Sequence, residues 1–320
     1  MTITAADPNA AVNELADRFW DGVLERDPIA ATIYGDARWD DRLPDYGPVG
    51  RAAERAALKA VLAEAETIDP IGLDVEGVIT RDMLLLVGRN LLDALDHKFY
   101  QLAVNHIWGI QILPTTIAQY QSASTAESLD NLLGRLHGYP ELVEQHIATL
   151  REGVAEGRTS AAVPVHRAIE QIDRLLAVPF GDSPTVQLAQ VADEAARDQV
   201  RAVMESTVYP AIARIRDFYR DEYEVHARPE PGIGSTPGGM AAYAVAIRNE
   251  TTVSATPEEV HAFGIEDLDR IETEKDEIAR RQGFADRHAF AASLAQDPAN
   301  HTSDPNRIVE IAREQTDRAY

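Results

Sequence analysis

Nine histidines offer the most obvious metal chemistry in this chain: His97, His106, His137, His146, His166, His226, His261, His288 and His301. A zinc hydrolase of the common kind places two histidines one helical turn apart and sets a glutamate beside the metal-bound water. None of the nine is followed by Glu, and no two stand four positions apart. His97 with His106, and His137 with His146, are each nine apart, about two and a half turns, so the members of each pair face opposite sides of a continuous helix. Surface or helix-capping roles suit these histidines better than ligation. No metal ligand and no catalytic residue is assigned.

Other chemistries fare no better. There is no cysteine, which removes disulfides, cysteine-ligated zinc, iron–sulfur clusters and thiol nucleophiles together. No Gly-x-Ser-x-Gly elbow and no phosphate-binding Gly-x-x-x-x-Gly-Lys-Ser/Thr loop occurs. Carboxylate pairs such as Asp40-Asp41, Asp221-Glu222 and Glu258-Glu259 read as solvated faces or helix starts in a chain with 53 acids. One stretch stands out: Pro231-Gly232-Ile233-Gly234-Ser235-Thr236-Pro237-Gly238-Gly239-Met240, leading into Ala241-Ala242-Tyr243. A Gly-rich loop feeding a helix amino terminus offers backbone N–H groups to an anion such as a peptide carboxylate. The plainer reading is an interhelical connection. On the first reading Gly238 and Gly239 lie at the binding turn, and Tyr243 or Arg248 adds a hydrogen bond.

The elements that would position these residues are helices. Asp7-Pro8 opens a segment with Val12, Leu15, Phe19 and Val23 on one stripe, and Asp27-Pro28 ends it. Residues 35–50 read as a loop. Helices follow to about Thr67 and from Val75 to His97. Ser124 and Glu127 suggest a capping box, and Gly138-Tyr139-Pro140 predicts a break before a further helix to about Glu156. A helix from Pro164 reaches Leu176, and Pro184 opens a helical region to Tyr223 that Pro210 should kink. Thr256-Pro257-Glu258-Glu259 is the sharpest start signal, with Gly283 as its stop. Asp304-Pro305 starts a last helix that runs to Tyr320 without a Gly, Asn or Pro to end it. No sustained alternation predicts strands. The expected fold is all-α: one large helical domain over 1–320, with a sub-boundary near 180–184.

Composition bounds the partners. The formal charge is -23, from 30 Lys plus Arg against 53 Asp plus Glu, and no basic patch relieves it, so nucleic acid is not an expected partner. The most apolar run, Met83 to Val87, is far shorter than the roughly 20 residues that span a bilayer. With no basic-then-apolar pattern from Met1 to Val12, a cytoplasmic protein without a membrane partner is expected.

Three segments carry a resemblance: Gly238-Gly239-Met240-Ala241-Ala242-Tyr243, then Ile247-Arg248-Asn249-Glu250-Thr251-Thr252, then Thr256-Pro257-Glu258-Glu259-Val260-His261 with Phe263-Gly264-Ile265. Together with Asp27 to Thr32, Tyr34-Gly35 and Asn105-His106-Ile107-Trp108-Gly109, they resemble the bacterial family called domain of unknown function 885. The resemblance implies a large helical protein related to zinc metallopeptidases of the thermolysin-like superfamily. It further implies a His-Glu-x-x-Pro-Gly-His metal segment in the carboxy-terminal half of such proteins. No position here matches that segment. The chain therefore reads as the amino-terminal helical part, without a cofactor of its own, of a protein expected to use zinc on a peptide substrate. Apolar faces meant for the absent part are expected to favour a homodimer. The rival reading is a non-enzymatic helical interaction or scaffold protein; an enzyme working through carboxylates of these residues alone ranks below both.

Overall fold

Asp27 and Pro28 set the first boundary. Helix α1 (Pro8–Arg26) stops before them, and the Asp27 carboxylate accepts the Ala30 N–H to cap α2 (Pro28–Ile33). The computed structural model describes residues 8–319; Asp7 and Tyr320, used above as helix ends, lie outside the described residues. Asp74 caps α4 (Val75–Asp96) by accepting the Gly77 N–H, while α3 (Pro48–Thr67) begins on its own proline. Val12, Leu15 and Phe19 of α1 pack with Leu58, Leu62 and Ala65 of α3 and Leu84, Leu85 and Leu95 of α4. Helical spacings of three and four residues on α1 and α3 put these side chains on single stripes, which is what drives the three helices together.

A second, larger core surrounds α6 (Ala126–Ala155), with α5 (Leu113–Tyr120) before it and α7 (Ala162–Leu176) after it. The break expected at Gly138-Tyr139-Pro140 does not occur: α6 runs straight through Pro140. A helix-interior proline costs about 3 kcal/mol. Leu136, Tyr139, Leu142 and Val143, all buried within one turn of it, are each worth roughly 1.5–3 kcal/mol of burial, so packing outweighs the lost backbone bond. The start of α6 is also displaced by one residue. Thr125 caps it and Ser128 completes the capping box, in place of Ser124 and Glu127, because the Ser124 hydroxyl pairs with Ser122.

The region opened by Pro184 is not one helix. α8 (Pro184–Leu188) ends, and the chain turns extended at β2 (Gln190–Val191), which pairs in parallel with β1 (Ser122–Ala123). Asp193 then caps α9 (Glu194–Val203). A π-helical turn, Met204–Val208, joins α9 to α10 (Tyr209–Phe218), and a second one, Tyr219–Tyr223, follows α10. Pro210 explains the first: it has no N–H for the Ser206 carbonyl, and the widened turn instead carries the Tyr209 N–H to the Met204 carbonyl. These helices and α11 (Gly239–Thr251) up to Asn249 belong to one compact unit, whose described residues are 8–249.

The remaining unit, Glu250–Tyr320, holds α12 (Pro257–Arg281), α13 (Arg287–Gln296) and α14 (Pro305–Ala319). Thr256 and Glu259 form the reciprocal capping box read from the sequence, and Gly283 turns the chain with φ 85°. Arg287 clamps α13 to α12 through Glu272 and Asp276, both at 2.9 Å. Among the described residues of this unit only Ala279 is buried; Phe263, Ile265 and Leu268 of α12 and Ile308 and Val309 of α14 are exposed. The fold class is all-α. Among the described residues, no helix is long and apolar enough to cross a membrane.

Candidate functional site

The first turn of α3 and the carboxy-terminal turns of α6 are held together by one side chain. Arg51 donates from Nη1 to the Tyr46 carbonyl at 2.8 Å and to Thr149 Oγ1 at 2.9 Å, and from Nη2 to the Glu152 carboxylate at 2.9 Å. Its guanidinium also lies over the Tyr100 ring, 4.5 Å from the centroid. The Tyr46 N–H in turn donates to Gln145 Oε1, and Asp45 Oδ1 accepts the Gly47 N–H. These bonds fix one wall of a cavity of about 340 Å³.

The loop Asn105-His106-Ile107-Trp108-Gly109 adds Trp108 and Gly109 to the lining. Asn105 Oδ1 accepts the N–H groups of Ile107 and Trp108, folding the loop on itself. Gln111 Nε2 donates to the Asn105 carbonyl and to Gln171 Oε1, tying the loop to α7. A Cβ at position 109 would lie 2.0 Å from the Asn105 carbonyl oxygen, so only glycine closes this turn. The result is to present Trp108, 84% exposed, at the cavity mouth. Leu95, Ile110 and Leu113 complete an apolar floor.

Two titratable groups in the wall are shifted by burial. His146 is buried, and its Nε2 is hydrogen-bonded to Tyr219 Oη at 2.8 Å. Burial lowers its pKa to about 4, so the imidazole is neutral at pH 7. This corrects the surface or capping role read from the sequence for His146; His137, on the opposite face of the unbroken α6, is exposed. Glu54 is half-buried. Burial raises its pKa, the Arg26 charge opposes this and Asp27 reinforces it, and no hydrogen bond to its carboxylate is among the causes.

The wall does not fit a zinc ion. His146 Nε2 is committed to Tyr219, Asp45 to the Gly47 amide, and among the described residues no three His, Asp or Glu side chains converge as a metal-binding group. The arrangement can hold a ligand.

The residues singled out in the sequence lie elsewhere, outside this cavity's wall. Gly238 takes φ 69°, and a Cβ on Gly239 would stand 1.9 Å from the Ile233 carbonyl oxygen, so the loop's own packing demands both glycines. Tyr243 is partly exposed one turn into α11. Arg248 pairs with Asp93 of α4 at 2.6 Å. Gly238, Gly239 and Tyr243 share the opening of α11, whereas the Arg248 guanidinium is directed to α4. Arg51, Glu54, Tyr100 and the cavity role of Trp108 escaped sequence reasoning. The one available signal was the Asn105–Gly109 segment, noticed for resemblance and not for what it presents.

Comparison with known proteins gives a family and a fold. The family model described as bacterial protein of unknown function (DUF885) matches residues 28–320. No curated protein matches the chain. Among solved structures, a protein of Colwellia psychrerythraea described as a "putative lipoprotein" is similar with TM-score 0.80 at 19% identity, covering 92% of this chain and 55% of that one. A Shewanella oneidensis protein described in the same words has TM-score 0.55 at 16% identity, covering 84% of this chain and 48% of that one. The chain thus spans about half the length of the solved structures it matches.

Proposed function

We propose, for a chain that belongs to the bacterial DUF885 family, that it is the substrate-holding helical part of a metallopeptidase-like hydrolase acting on peptides. The metal and the general base then come from protein outside residues 8–319. The carrying observation is the cavity between α3, α6 and the Asn105–Gly109 loop: concave, aromatic-walled, with Arg51 and Thr149 paired to each other and His146 held neutral. Such a wall suits binding, and its groups are not arranged for bond cleavage. The unpartnered apolar stripes of α12 and α14 support the same reading, because exposed Phe263, Leu268 and Ile308 suit helices that further protein covers. Peptide-end recognition by the Gly238–Tyr243 helix start is part of the proposal, as is a cytoplasmic location. Recovery with membranes, in line with the description of the solved relatives as lipoproteins, would overturn that location.

The test is hydrolysis of a fluorogenic peptide library, with zinc supplied, by residues 1–320 and by a longer family protein containing this part. Turnover by the longer protein alone is the expected result. Turnover by residues 1–320 would place the chemistry inside them. Absence of turnover by both, with zinc retained by the longer protein, would end the hydrolase reading and favour a scaffold.

A further inference from the structure

The charges around the cavity do not balance, and the imbalance names a ligand class. Arg51 is neutralised by Glu152 at 2.9 Å, and His146 is uncharged. Arg26, outside the wall, faces both Glu54 and Glu25. Asp45 and Glu54 are the carboxylates of the wall; Arg26 faces Glu54 from outside it but is shared with Glu25, and Asp27 adds to the negative field at Glu54. Among the described residues, Arg51 is the one Lys or Arg that lines the space. The same wall holds the aromatic faces of Tyr46, Tyr100 and Trp108, and the Tyr100 face already accepts one guanidinium at 4.5 Å.

From this juxtaposition of carboxylates in excess over the cations that face them with three aromatic residues and an apolar floor, we infer that the cavity binds an organic cation on an apolar stem, the lysine- or arginine-type side chain of a peptide. The physical reasoning is direct. A carboxylate in a partly desolvated wall that accepts no hydrogen bond gains most from a donor that brings its own positive charge. Aromatic faces attract that charge through their quadrupole, and Leu95, Ile110 and Leu113 shelter the methylene stem. About 340 Å³ is roomy for a bare ammonium and of the order that takes a long side chain. An anionic ligand would find Arg51 already engaged by Tyr46, Thr149 and Glu152, and would meet the Asp45 and Glu54 carboxylates. The word peptide rests on the hydrolase reading above; the preference for a cation rests on the wall alone.

Ligand-observed NMR on the full 320-residue chain tests it with four probes: N-acetyl-lysine amide, its uncharged counterpart N-acetyl-norleucine amide, N-acetyl-glutamate amide, and n-butylammonium. Lysine amide should bind at least about tenfold more tightly than norleucine amide, and glutamate amide should show no binding. Glu54→Gln should erase most of the lysine preference while leaving norleucine binding and the unfolding midpoint in place. Trp108→Ala, at an exposed position, should weaken lysine and norleucine probes together. Equal affinity for lysine and norleucine amides, tighter binding of glutamate amide, or no binding of any probe would each overturn the inference. Butylammonium binding as tightly as lysine amide would favour a free amine over a peptide side chain and overturn the peptide assignment. The hydrolysis assay fails independently: lysine preference without turnover by the longer protein removes the hydrolase reading and leaves the cation pocket. Turnover indifferent to basic residues does the reverse.

Discussion

Arg135 Nη1 donates to Thr32 Oγ1 at 2.7 Å across 103 positions of sequence, inside a site where the guanidinium has no exposed surface. Its other donors reach Gln121 Oε1 and the carbonyls of Arg42, Pro28 and Trp39, so four acceptors from the α2 region and the turn after it, and one from the end of α5, converge on one α6 side chain. Burial lowers the pKa to about 10, opposed by Asp40, Asp41 and Asp27, which leaves the group charged at pH 7. Arg135→Lys offers at most three donors and strands at least two buried acceptors, each worth about 1–3 kcal/mol. Urea unfolding should show a loss of roughly 3–5 kcal/mol; a loss below about 1 kcal/mol would show that water replaces the guanidinium without penalty.

Acid should weaken the fold through His146 in a definable window. Its folded-state pKa of about 4 lies below the ordinary 6.5. Between those values the unfolded chain binds a proton here and the folded chain does not, so the neutral imidazole's stabilisation is full above pH 6.5 and is lost as pH falls through 4. The loss amounts to about 3 kcal/mol. Carboxylates titrate too, so the measurement is a difference: stability of wild type minus that of His146→Gln, which keeps a partner for Tyr219, followed from pH 7.5 to 3.5. A flat difference would mean that the ring is solvated when protonated.

Gly109→Ala should displace the loop that carries Trp108, since the nearest obstacle is the Asn105 backbone oxygen and not a movable side chain. The expected outcome is a loss of roughly 2 kcal/mol and at least about tenfold weaker binding of the lysine probe. Unchanged affinity would separate the loop's shape from ligand binding.

Arg248→Gln should cost less than about 1 kcal/mol of stability, because its pair with Asp93 is solvent-accessible. If the start of α11 holds a peptide end, Tyr243→Phe in the longer protein should lower kcat/KM with the fold unaffected. Identical kinetics would leave Tyr243 an ordinary surface tyrosine.

Local signals explain what was readable in the sequence. The Asp27-Pro28 boundary and the Thr256–Glu259 capping box depend on residues within four positions of each other, and both appear where expected. Pro140 misled because its cost is local while the compensation, burial of Leu136 and Tyr139 against other helices, is tertiary. The cavity was illegible for the same reason. Arg51 and His146 stand tens of positions away from Tyr100 and Trp108, and the four meet only once α3 and α6 are clamped together. Even the resemblance segment misdirected: its glycines 238 and 239 answer to the Ile233 carbonyl, whereas the glycine that shapes the cavity is 109.

The scarcity of buried side chains from Glu250 onward carries a kinetic consequence. Three helices that bury Ala279 and lean on the Arg287 clamp have little to lose on opening, so their amides depend on helix hydrogen bonds that water can replace one turn at a time. In deuterium oxide this stretch should fill within seconds to minutes, while α6, with eight side chains from Leu129 to Leu150 in the hydrophobic core, exchanges only through global unfolding. The polypeptide would then tick with two clocks, and whatever covers α12 in the cell could be found simply by watching which additive slows the faster one.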